Sequence, residues 1–166
     1  MTMEGTNFKT NIELFVDRVK NASIEEIILL TDTEPKFDLE LIPFSFEYSF
    51  SAIIITNHGF YKIFPTAISS GFETFWIEEV EQAYNGYGEV QEINSTLEAI
   101  YFESKQGYDY PYKLTLQFFD KAIYLYCGEI YDESGGRLRY NIYDEMILAF
   151  NNRKEAEKFE QLINYG

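Results

Sequence analysis

Phe44, Phe46, Tyr48 and Phe50 alternate with Ser45, Glu47 and Ser49, and just before them Phe37, Leu39 and Leu41 alternate with Asp38 and Glu40. Successive side chains of a strand point to opposite faces, so period two of this kind predicts strands with one wet face. The same style runs through most of the chain. Residues 52–56 read as a more buried strand, and Asn57-His58-Gly59 as a turn into a strand at 60–64. Residues 72–80, 97–103 and 145–150 read as further strands, and 112–119 with 122–131 as a hairpin across Asp120-Lys121. Ser134-Gly135-Gly136 is a turn, and so is the segment 32–35. The 14 Tyr and 15 Phe fit this pattern, because flat rings pack well on a pleated surface.

Helices are predicted only at the two ends. Ile12, Phe15, Val16 and Val19 make one apolar stripe along residues 8–20. Asn151 or Asn152 caps a final helix whose stripe is Ala156, Phe159, Leu162 and Ile163. Between the first helix and the β region, residues 26–31 are short and partly β-branched and read as a strand. The expectation is an α+β fold of mainly antiparallel sheet, with an N-terminal and a C-terminal helix, in one domain over residues 1–166.

The two halves also resemble each other. At an offset of 70, Ala52 meets Ala122, Ile53 meets Ile123 and Tyr61 meets Tyr131. The sequence therefore allows an internal duplication of two β-meander units, 24–82 and 97–150, joined by 83–96.

Charge narrows the range of partners. The chain carries 28 acidic and 13 basic residues, a net charge of −15. Such a surface disfavours approach to phosphates, so nucleic acid is not an expected partner, and a basic protein is the natural complement. The longest aliphatic runs fall far short of a membrane span, and the first residues have neither the basic nor the apolar part of a secretory signal. The expected setting is cytoplasmic. Cys127 is the only cysteine, lies in an apolar run and reads as a buried small hydrophobe.

No catalytic constellation is visible. His58, the one histidine, lies in a turn, and one His with one Cys does not make the usual zinc site. Neither Gly86-x-Gly88 nor Gly135-Gly136 has the lysine or the strand–helix frame of a phosphate loop. No cofactor is implied. Acid pairs at Asp132-Glu133 and Asp144-Glu145, and the group Glu78-Glu79-x-Glu81, leave a hard cation held by carboxylates as an open alternative.

The candidate binding residues combine acid and tyrosine. Tyr108, Asp109, Tyr110 and Tyr112 fall in or beside one loop, and Tyr84 and Tyr87 flank another. Glu129, Tyr131, Asp132 and Glu133 form a second run, and Asp144 and Glu145 end a third. Tyrosine offers broad contact area at low entropic cost, and acids steer a basic partner.

In its overall character the chain resembles the small acidic immunity proteins of bacterial polymorphic-toxin systems. The resemblance is carried by residues 114–133, by Asp144-Glu145-Met146-Ile147-Leu148-Ala149-Phe150 and by the closing helix. It implies a cytosolic α+β or β-rich domain that binds a toxin and blocks it, and it carries over no individual site residue. The leading expectation is a non-enzymatic domain that binds a basic protein, of the immunity type, as a monomer or weak homodimer. Two alternatives stand beside it: a scaffold domain that self-associates through a sheet edge, and a protein binding a small ligand or divalent cation through carboxylates.

Overall fold

The structure is a computed structural model that describes residues 5–31, 35, 37–68, 71–81 and 88–163. Among these, two helices and eleven strands are present, and the strands form two antiparallel sheets. The molecule is thus more β-rich than the expected α+β class, although both terminal helices are in place.

Helix α1 (Gly5–Val19) buries Phe15 and Val19 of the stripe that the sequence periodicity marks, half-buries Ile12 and Val16, and adds buried Phe8. It leads into β1 (Ser23–Leu30), which sits near the middle of the first sheet. There β1 pairs with β3 (Ser51–Thr56) on one side and with β6 (Gly88–Thr96) on the other. The sheet continues through β4 (Gly59–Ala67) to β5 (Glu73–Val80). Strand β3 is buried at every position, as its unbroken apolar run requires.

The second sheet has the order β2 (Glu47–Ser49), β11 (Met146–Phe150), β9 (Ala122–Ser134), β8 (Pro111–Gln117), β7 (Ala99–Ser104). Strand β10 (Arg137–Ile142) folds back on the far half of β9. Both Ile142 and Met146 oppose Gly128, so residues 143–145 carry the chain past that glycine between its two pairings.

One apolar core lies between the sheets. Ile27, Leu29, Ile54 and Ile63 meet Leu114, Leu125, Cys127 and Ile147 there, with Phe15 and Val19 of α1 closing one side. A second core covers the outer face of the second sheet. Helix α2 (Arg153–Leu162) lays Ala156 and Phe159 on Tyr126, Leu148 and Phe150, together with Phe44. The Asn152 side chain caps α2 by accepting from the Lys154 and Glu155 N–H groups.

Three expectations need correction. The alternation at Phe37–Leu41 does not make a strand. The Asp38 carboxylate accepts from the Glu40 N–H at 2.9 Å and opens a short 3-10 turn, Leu39–Leu41, whose leucines are exposed. The strand expected across 44–50 contracts to β2. Residues 88–96, expected as a connection between two halves, are β6, an edge strand of the first sheet. The two segments expected as duplicates both run as antiparallel neighbours, β1-β3-β4-β5 and β7-β8-β9-β11. However, the offset of 70 sets the turn at Asn57–Gly59 against residues 127–129, inside unbroken β9. The turn expected at 32–35, apart from Pro35, and the Tyr84 and Tyr87 loop lie outside the described residues. Among the described residues no helix is long and apolar enough to cross a membrane.

Candidate acidic and aromatic pocket

The candidate site forms where β5, an edge strand of the first sheet, meets the crossing between β10 and β11. The Glu73 N–H donates to the Tyr143 carbonyl at 3.1 Å, which ties the start of β5 to residue 143 of the second sheet. Tyr143 itself has φ +59, a left-handed backbone unusual for a bulky residue. Three hydrogen bonds hold it there. Its N–H donates to the Cys127 carbonyl at 2.8 Å, its hydroxyl donates to the Tyr110 carbonyl at 2.6 Å, and the Lys105 N–H donates to that hydroxyl at 2.9 Å. Burial pushes the hydroxyl's pKa up to about 12, so it stays protonated and able to donate.

This crossing brings three carboxylates together. Oxygens of Glu73, Asp144 and Glu145 lie within 4.8 Å of one another. They line a cavity of about 430 Å³ that also receives Phe72, Tyr108, Tyr143, Lys105 and Arg139. The rings form one cluster: Tyr108 and Tyr143 have centroids 5.0 Å apart, and Phe72 stands 5.8 Å from Tyr108. Lys105 places its Nζ 5.3 Å from the Tyr108 ring centroid.

Behind the pocket, the Tyr131 hydroxyl lies 2.9 Å from both Glu129 Oε2 and Asp144 Oδ2. A phenol has one proton, so one of these two contacts needs a second proton, from a carboxyl group. Burial raises the pKa of Glu129, and the charges of Asp144 and Glu145 add to that rise against hydrogen bonds from Tyr131 and Tyr48. Burial also raises Glu73, followed by the charges of Glu145, Asp144 and Glu129. Glu73 Oε2 is buried and has no hydrogen-bond partner. Burial and like charge thus make it costly to ionise all of these acids at once.

Of the residues singled out in the sequence, Tyr108, Glu129, Tyr131, Asp144 and Glu145 are brought together here. The others are placed elsewhere. Asp109 lines a separate cavity beside α1. Tyr110 packs edge-on against Phe8 at 5.4 Å, and Tyr112 packs against Tyr143 and Tyr126. Asp132 accepts from the Gly136 N–H inside the β9–β10 turn, and Glu133 pairs with Arg139 at 3.4 Å. Sequence reasoning missed Glu73, Phe72 and Tyr143. The pair Phe72-Glu73 opens an otherwise ordinary strand, and no local pattern marks its meeting with residues 143–145.

Chemically, the arrangement suits a cation. Carboxylates supply charge, and ring faces attract organic cations through their quadrupoles. Hard metal ions take oxygen ligands and gain nothing from ring faces, and two cations of the chain, Lys105 and Arg139, already share this cavity. Among known proteins, no family model, curated sequence or solved structure matches the chain.

Proposed function

We propose that the chain is a non-enzymatic protein-binding domain that engages a basic partner, as an immunity-type inhibitor engages a toxin, through the pocket of Glu73, Asp144 and Glu145. The observation that carries this reading is the convergence of those carboxylates with Phe72, Tyr108 and Tyr143 around one open cavity. A lysine or arginine side chain of the partner enters it, its charge met by the carboxylates and its flat or alkyl part by the rings. The net charge of −15 raises the rate of encounter, and the aromatic contacts slow dissociation. The Glu73 Oε2 atom fits a site kept for a ligand, because a purely structural cluster gains nothing from a buried oxygen without a hydrogen-bond partner.

The test is capture from lysate at low and high salt, with the wild type and with an Asp144→Asn/Glu145→Gln variant. A basic protein retained by the wild type and lost by the variant supports the reading. Equal retention by both refutes it. A thermal melt separates the cation alternative: the proposed function predicts that millimolar Ca²⁺ or Mg²⁺ moves the midpoint no more than matched ionic strength does.

A further inference from the structure

The sheet edges of this molecule are not treated alike. At the β5 edge, the Asn11 side chain of α1 pairs with Ile77 as a strand would: its Oδ1 accepts from the Ile77 N–H at 2.9 Å, and its Nδ2 donates to the Ile77 carbonyl at 2.8 Å. The other end of β5 is tied to Tyr143. At the β6 edge, exposed Glu89 and Glu92 flank the strand, Asn94 has φ +48, and the pairing with β1 slips its register. Strand β2 is three residues long. Bulges, charges, short strands and covering groups are the usual means of blocking an edge.

Strand β7 carries such devices only at its end, where Glu103 is exposed and the register shifts between Glu103 and Ser104, and has none over residues 99–102. Among the described residues it pairs with β8 alone, in regular register from Ala99 to Glu103. Alternate residues of an antiparallel edge turn their N–H and C=O groups away from the sheet. Ile100 and Phe102 face the core, whereas Tyr101 is 54% exposed. Beside the strand, between it and α1, lies a cavity of about 610 Å³. Phe8, Ile12, Phe102 and Pro111 give it apolar walls, and its rim carries two acids, Glu13 and Asp109, against one base, Lys9. Asp109 belongs to the 105–110 turn that also presents Tyr108 to the carboxylate pocket. The two cavities are thus neighbours across one loop.

We infer that the edge of β7 and the adjoining cavity against α1 take an extended segment of the basic protein partner, which adds to the second sheet as a strand. This rests on the function proposed above and specifies how the partner is held. Main-chain hydrogen bonds to β7 fix the segment, its apolar side chains enter between Ile12 and Phe102, and its basic side chains reach Glu13 and Asp109. A second copy of this chain is the poorer occupant, because two surfaces of net charge −15 repel each other.

The probe is a heptapeptide of alternating lysine and isoleucine, blocked at both ends, titrated into the full chain while backbone amide shifts and hydrogen exchange are followed by NMR. The expected result is shifts concentrated at residues 99–104 and 8–13, with at least tenfold slower exchange of the outward β7 amides. The same peptide N-methylated at alternate residues keeps its charge and loses its main-chain donors, and it is expected to leave β7 unshifted. Equal shifts with both peptides overturn strand addition, and so does a complete absence of shifts. Shifts confined to Tyr108, Asp144 and Glu145 overturn it as well, yet leave the cationic pocket standing.

Discussion

Gly128 leaves no room for a side chain. A Cβ there would lie 2.4 Å from the Asn141 carbonyl oxygen, a backbone atom that cannot swing aside. Gly128→Ala is expected to cost about 2–3 kcal/mol in urea denaturation, from overpacking against fixed backbone. It should also disturb the neighbouring crossing at 143–145, on which the pocket depends. Glu73 predicts the opposite sign. Its buried oxygen lacks a partner and faces like charges, so Glu73→Gln is expected to raise stability by about 1 kcal/mol while weakening partner binding. A stability loss in that variant would show that the carboxylate has a structural partner and is not held in reserve for a ligand.

The elements show why some of this was legible in the sequence and some was not. Turn chemistry at Asn57-His58-Gly59 and the apolar run of β3 locate their strands, because each signal is local. The stripe of α2 is readable except at Leu162, which is exposed: Phe159 is fully buried, with ring centroids 4.9 Å from Tyr126 and 5.6 Å from Phe150. Phe159→Ala is expected to cost about 3–5 kcal/mol by calorimetry or denaturant. Strand β6 escapes such reading because only Ile93 of its nine residues is buried, so it has almost no apolar pattern. Its pairing with β1 makes it a strand. Phe37–Leu41 misleads in the opposite sense, since alternation is present and a local Asp38 side-chain bond wins. In the site, the acid–tyrosine runs pointed to Asp144, Glu145 and Tyr131, whereas Glu73 arrives only through the docking of β5 on the second sheet.

At the scale of the whole molecule, acidity is not spread evenly. Glu47 on β2 and Glu89 on β6 meet across the edges of the two sheets, and the pKa of Glu47 is raised to about 7 by burial, then by the hydrogen bond with Glu89 and its charge. The unfolded chain releases this proton near pH 4.5, and the folded protein only near 7. Over that window the folded state binds more protons, so stability falls as pH rises. Glu73 and Glu129, also raised, act in the same direction. Thermal melts are expected to show a higher midpoint at pH 5.5 than at pH 7.5, and Glu47→Gln should flatten that slope. A midpoint that climbs with pH would show that the acids are stabilised by partners rather than crowded together.

The same crowding is what a basic partner would relieve, and this is the central claim. The most direct measurement is the association rate of the captured basic protein at low and high salt, for the wild type and for Asp144→Asn/Glu145→Gln. The proposed mechanism predicts a wild-type rate that falls about tenfold or more as salt rises, and a slower, flatter rate for the variant. A wild-type rate unchanged between low and high salt, or a variant that associates as fast as the wild type, would contradict it.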